Sequence, residues 1–414
     1  MSLPAIRPVI LGADIGIYAL ARAFHEEYSV TSTVVASAAL GPIAHSAICD
    51  VHLVAHNYNP DVIVAELIKI GQRKKPNEVL ILLANSDWFV RVIVQNRAAL
   101  EPYYVVPFLG EQILDDISDK ATFALICNEL GISVPTTYVQ DFSNAHTNQW
   151  QPVQVDLEYP VIAKAASSAD YQDIEFEGKM KVFEIATPQE LDNLWASLRN
   201  AGFTGRFVVQ ELIPGDDTQM RSITAYVDRS GAITLLGGAH VLLEEHTPNG
   251  LGNPAAMITM RDDDMFAQAA AFLQHTGYHG FANFDVKIDP RDGHFKFFEV
   301  NPRIGRNNYY MTAAGGNPAR ALVEDYVYGR STGQRLVDQT ILYSVVPVSM
   351  LDHYVREPNL NAQLSHLIQA QRYVNPLDNP IETSLKRRMY VKLALVNQRR
   401  KFKEHYPHPT GTGF

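Results

Sequence analysis

Residues 295–303 read Phe-Lys-Phe-Phe-Glu-Val-Asn-Pro-Arg: a strongly β-like run that ends with an acid, an amide and a base on alternate positions. The stretch before it, "GFANFDVKID" (280–289), has the same β character, and "PRDG" lies between the two. Setting Pro290 opposite His294 leaves a three-residue loop, Arg291-Asp292-Gly293, with glycine where a left-handed conformation is needed. Carried along the ladder, this register puts Asp285 opposite Glu299. Period-two alternation then brings Glu299, Asn301 and Arg303 to the face of Asp285. Two carboxylates a few Å apart raise each other's pKa unless a cation lies between them. Hard oxygen donors in small number suit Mg²⁺, which keeps waters and draws further ligands from substrate phosphates. A solvated hairpin face is the alternative, and the flanking Phe295, Phe297 and Phe298 argue for burial instead.

Phosphates need cations. Lys164 sits near the end of the apolar strand "YPVIAKAA" (159–166), where a lysine is costly without an anionic partner; an edge lysine that snorkels to water is the other reading. A helix starting at Ser118-Asp119 and stopping at Gly131 puts Lys120 in its first turn, which is unfavourable for a cation on dipole grounds and points to a ligand. The loop "SSADYQDIEFEGK" (167–179) can cover phosphates through Ser167, Ser168 and main-chain amides. It lacks the spacing of a P-loop. "VVQELIPGDD" (208–217) ends a strand at a Pro-Gly turn where backbone groups can meet an adenine edge, with Asp217 placed for ribose hydroxyls; a purely structural strand and turn is the competing reading.

At 414 residues the chain exceeds what one core fills, so two or three packed units are expected. Residues 1–115 alternate strand and helix signals, the pattern of an open parallel α/β sheet. Residues 116–335 read as α+β, with a lid at about 135–210, and residues 336–414 as mostly helical. In the first unit "ILGADIG" is a strand, a glycine turn and a helix start, but it lacks G-x-G-x-x-G, which argues against a dinucleotide site there. Asp14, Tyr18 and Arg22 recur every four residues on one helix face, which points either into a cleft or to a surface network.

Two cysteines, Cys49 and Cys127, neither form a disulfide framework nor a zinc cluster and favour a reducing compartment. No secretory leader and no run of ~20 apolar residues is visible, so a cytoplasmic protein is expected. A formal charge of -10 argues against general nucleic-acid binding. One segment departs from that trend: "SLKRRMYVKLALVNQRRKFKEHYPH" (384–408) carries eight Lys and Arg against one Glu. A solvated helix face and peripheral contact with an anionic membrane are its two readings.

Lys120, Lys164, "VVQELIPGDD", Asp285 and Glu299-x-Asn301-x-Arg303, in that order, resemble the ATP-grasp carboxylate–amine ligases. The order of five separated motifs is far more specific than any one of them. The likeness extends to "ILGADIGIYALARAFHEEY", "VVQELIPGDDTQMRSITAYVD", "GFANFDVKIDPRDG" and "FFEVNPRIGRNN", in both halves of the chain. The resemblance implies an ATP-grasp fold preceded by a Rossmann-like domain. It implies that ATP binds with Mg²⁺, as two ions, on Asp285, Glu299 and Asn301. Lys120 and Lys164 would hold phosphates, with Ser167 and Ser168 beside them. Glu211, Leu212 and Ile213 would meet adenine and Asp217 the ribose. Arg303, with Lys164 and Arg306, would stabilise the transferring phosphoryl group. The implied substrates are an amino acid, D-aspartate, and the lysine of an anionic peptidoglycan precursor. Asp14, Arg22, Arg221, His240, Thr247 and Asn253 are candidates for the substrate side, and 167–179 and 244–254 for lids that exclude water. A ligase for another amino acid or dipeptide, and a non-catalytic nucleotide-binding regulator, are the alternatives.

Overall fold

The computed structural model describes residues 4–56, 58–171, 173–247 and 250–413. Three sheets organise it. The first is parallel, in the spatial order Cys49–Leu53, Ser32–Ala36, Ala5–Leu11, Glu78–Ala84, Tyr104–Val105. Along Ala5–Leu11, Ile6 and Ile10 belong to one hydrophobic core while Val9 and Leu11 belong to another. That alternation is what a central parallel strand covered on both faces requires. The strand Cys49–Leu53 escaped the sequence reading, because its polar alternate residues suit a sheet edge and give no apolar run.

The turn in "ILGADIG" explains its glycines. Gly12 has φ +117°, and Asp14 caps the helix Ile15–Tyr28 by accepting from the Ile17 N–H. A Cβ on Gly16 would stand 2.7 Å from the Arg306 backbone, so this glycine lets the first helix seat directly on a loop of the large sheet.

The large sheet runs Phe295–Asn301, Gly280–Ile288, Met220–Val227, Ile233–Glu244, Pro254–Met260, Leu342–Ser344, Tyr373–Val374. Its last two strands come from the segment expected to be mostly helical; Leu342–Ser344 pairs antiparallel with Pro254–Met260. The helices Pro358–Gln369 and Leu385–His405 complete that segment. A third, antiparallel sheet orders Thr137–Asp141, Arg206–Glu211, Val161–Ala165 and Phe183–Ile185 around its own aromatic core of Phe142, Trp195 and Phe207. Among the described residues no helix is long and apolar enough to cross a membrane.

The hairpin 280–301 meets the expected pairing at one point and departs from it at another. Asp285 does face Glu299. Near the turn, however, Ile288 pairs with Phe295 and the Asp289 N–H bonds the His294 carbonyl. The loop is therefore four residues, Pro290 to Gly293, one more than expected. A β-bulge at Phe298 absorbs the difference. Without it, the pairing of Lys287 with Lys296 would continue to set Asp285 against Phe298. The bulge also lets Phe297 enter the core while Phe298 and Glu299 line a cavity, whereas strict alternation would put Phe297 on the face of Glu299.

Candidate active site

A cavity of about 960 Å³ opens where the three sheets meet. The strand Gly280–Ile288 supplies its floor through alternate residues: Asn283, Asp285 and Lys287 line it, while Ala282, Phe284 and Val286 are core. Of the residues singled out in the sequence, Lys120, Lys164, Ser167, Glu211, Leu212, Ile213, Asp217, Thr247, Asn253, Asp285, Glu299, Asn301, Arg303 and Arg306 line this one cavity. Ser168 opens a short helix, and its side chain lies outside the described residues.

Charge in the cavity is strongly coupled. Lys120 Nζ lies 2.9 Å from Glu299 Oε2. Burial alone would raise the Glu299 carboxyl, yet Lys120, Lys164 and Lys181 hold it well below the usual range. Across the ladder, burial and the Glu299 charge push Asp285 up to about 7. The Lys164 ammonium has no hydrogen-bond or ion-pair partner among the described residues and stands 5.4 Å from the Phe298 ring centroid. Burial, with Lys120 and Lys181 adding, brings it down to about 8 against the pull of Glu299. An unpartnered lysine beside a half-compensated pair of acids is a site built for a ligand that brings both anion and cation.

The donors fit Mg²⁺ in kind: two opposed carboxylates and one amide. Asn301 Nδ2 now donates to Asp285 Oδ2 at 3.2 Å, while its oxygen accepts from Arg303 Nη2 at 3.1 Å. Ligation through that oxygen requires the amide to turn over. Arg303 also donates to Asp87 Oδ1 at 2.6 Å, a partner from the first sheet's helix Asp87–Gln95.

At the other end of the cavity Lys287 Nζ donates to the carbonyls of Ile213 and Gly215, at 2.9 and 2.7 Å. This clamps the Pro-Gly turn and occupies the Ile213 carbonyl; the Ile213 N–H has no partner among the described residues. Asp217 is turned inward: its Oδ2 accepts from the Glu244 N–H and from His246 Nε2, at 2.8 and 2.9 Å. His246 in turn stacks on Tyr406 at 3.4 Å between centroids. Burial, with Asp217 and Asp285 adding, pushes Glu244 up to about 8.

Four substrate-side expectations change. Arg22 does not reach the cavity; it is buried against the C-terminal segment, donating to the Pro376 and Asp378 carbonyls and stacking on Tyr309. Arg221 and His240 are cross-strand partners behind the wall, and both bond the Thr218 carbonyl. Asp14 is spent on its helix cap, on Asn85 and on Arg306, whose Nε lies 3.4 Å from Asp14 Oδ2. Arg306 also pairs with Glu245 at 3.0 Å. Sequence reasoning missed Glu244, Glu245, Lys287, Lys181 and Asp87. The double acid that ends the apolar strand "HVLLEE" and the lysine two places after Asp285 were the available signals.

With this geometry in hand, comparison with known proteins gives three results. Residues 223–321 match the family model described as carbamoyl-phosphate synthase L chain, ATP binding domain. The chain is 30% identical over 409 residues, 96% of its length and 96% of the relative's, to D-aspartate ligase from Enterococcus faecium (strain Aus0004). Among solved structures, N5-carboxyaminoimidazole synthetase from Staphylococcus aureus complexed with ADP matches with a TM-score of 0.58 and 16% identity, over 89% of this chain and 87% of that one. The biotin carboxylase domain of Hydrogenobacter thermophilus 2-oxoglutarate carboxylase, in complex with MgADP, matches at 0.57 and 13%, over 81% and 72%. At such identities these two likenesses speak for the fold alone.

Proposed function

Because the chain belongs to the ATP-grasp ligase family and is an ATP-dependent carboxylate–amine ligase, we propose that it joins D-aspartate to the side-chain amine of a lysine in a peptidoglycan-precursor stem peptide. The observation that carries this reading is the relationship to D-aspartate ligase along 96% of the chain.

A carboxylate does not react usefully with an amine in water, because its leaving group is oxide. Transfer of the terminal phosphoryl group of ATP to a carboxylate oxygen gives an acyl phosphate and ADP. The amine then attacks the carbonyl carbon, the C–N bond forms, and the C–O bond breaks as phosphate leaves; the amine loses a proton. Lys120 and Lys164 hold the phosphates, and the unpartnered Lys164 gains the anionic partner it lacks. The Ile213 N–H, which has no partner among the described residues, meets the adenine edge, beside the backbone of Glu211 and Leu212. Asp217 lies next to the ribose and shapes that end through His246 and the Glu244 N–H. Asp285, Glu299 and Asn301 hold Mg²⁺, as two ions, which supply neutralisation of phosphate charge. Arg303 meets the charge that develops on the transferring group, and Arg306, held by Asp14 and Glu245, faces the substrate carboxylate. Thr247 and Asn253 close the acceptor side, and the segments 167–179 and 244–254 keep water from the acyl phosphate.

A coupled ADP-release assay with D- and L-amino acids, with and without a lysine-containing stem peptide, tests this. Release that requires both D-aspartate and the peptide is expected. Release with a different amino acid alone would overturn the substrate assignment.

A further inference from the structure

The basic segment reaches the cavity through His405, but its Lys and Arg side chains do not line it. It forms the helix Leu385–His405, and one side of that helix is firmly anchored: Arg387 donates to the Pro42 and Leu377 carbonyls, and Phe402 is buried. The opposite side carries Leu385, Met389, Leu393 and Val396, which are 80, 52, 53 and 63% exposed. At helical spacing these four fall within an arc of about 80°. Arg388, Lys392 and Arg399 run along one edge of the stripe and Lys386 stands at the other, while Arg400 and Lys403 fall within its arc past the last apolar residue. Beyond its end lies a shallow groove of about 690 Å³ lined by Ser349, Tyr354, Arg399, Lys403 and His408.

We propose that this face lies in the headgroup region of an anionic lipid bilayer. The four apolar side chains would enter the acyl boundary, and the flanking cations would meet lipid phosphates, one of them in the groove. An apolar stripe with a row of Lys and Arg along one edge and Lys386 at the other suits a helix lying in the membrane plane, where each kind of side chain finds its own depth. Charge selects this occupant. The chain as a whole is at -10, so a face this basic is a local exception that attracts an anionic surface. In a two-fold contact with a second copy, the stripe could be covered only by bringing like-charged flanks together. The inference does not depend on the identity of the amino-acid substrate.

Co-sedimentation of the full chain with vesicles tests it, using phosphatidylcholine alone and phosphatidylcholine mixed with phosphatidylglycerol. Binding to the mixed vesicles only, weakening as salt rises, is expected. Replacing Arg388, Lys392 and Arg399 by Gln should weaken that binding by about two orders of magnitude. Replacing Leu385, Leu393 and Val396 by Gln should weaken it by at least about tenfold. Both variants should keep ADP release and the wild-type unfolding midpoint. No binding to the mixed vesicles would overturn the proposal, as would undiminished binding by the apolar-stripe variant. Self-association in the wild type that is lost in that variant, without vesicle binding, would assign the face to a second copy.

Discussion

At Lys120 three unfavourable circumstances meet: burial, a helix N-terminus and the neighbouring Lys164. One contact outweighs them, since the Glu299 carboxylate 2.9 Å away raises the lysine's affinity for its proton despite the burial. The dependence is mutual, because Glu299 stays ionised through its lysines. Glu299→Gln thus has two separable effects. It removes a candidate metal ligand, so turnover should fall by about 10³-fold or more. It also strands a largely buried ammonium, so the denaturant midpoint should drop by an amount corresponding to about 2 kcal/mol. ADP release and urea unfolding on the same preparation distinguish the two, and wild-type turnover would remove Glu299 from the metal site. Lys120 was legible in the sequence because it sat where helix electrostatics disfavour it. Arg22 and Arg221 misled for the opposite reason: a buried arginine held by main-chain carbonyls looks, in sequence, the same as one waiting for an anion.

Among the elements, the hairpin 280–301 shows what pattern can and cannot convey. Alternation and the turn glycine located the facing acids, although the loop was counted one residue short, because a bulge corrected the register before it reached Asp285. A bulge has no reliable composition of its own, so its place is set by packing: Phe297 to the core, Phe298 and Glu299 to the cavity. The loop that follows is equally constrained. A Cβ on Gly305 would stand 2.4 Å from the amide oxygens of both Asn283 and Asn307. Gly305→Ala should therefore push the segment carrying Arg303 and Arg306 away from the floor. Misplacement on the ångström scale costs about 10²-fold in turnover. ADP binding through residues 211–213 should change little. An unaltered kcat in this variant would show that the loop position is unimportant.

On the scale of the whole molecule, the chain's two ends are bound into one core. That core includes Ile6 and Tyr18 as well as Leu364, Phe402 and Tyr406. At its edge the buried Glu382 accepts from Tyr18, Ser46 and the Ala47 N–H and lies 3.4 Å from Arg387. Glu382→Ala leaves Arg387 charged and without its carboxylate, which should cost about 3 kcal/mol and lower the unfolding midpoint as a single transition. Two separated transitions would show that the first sheet unfolds independently. The parallel character of the first sheet could be read from local periodicity, whereas this knot could not, for it joins residues with no regular spacing. The Tyr18–Glu382 bond spans 364 positions. On the ribosome, then, the first helix emerges with Tyr18 facing nothing and Arg22 meeting only Glu26 of its own helix. Its partners arrive only after nearly the whole chain has been made, so the surface synthesised first is the one finished last, and a stalled chain presents it to proteases and chaperones.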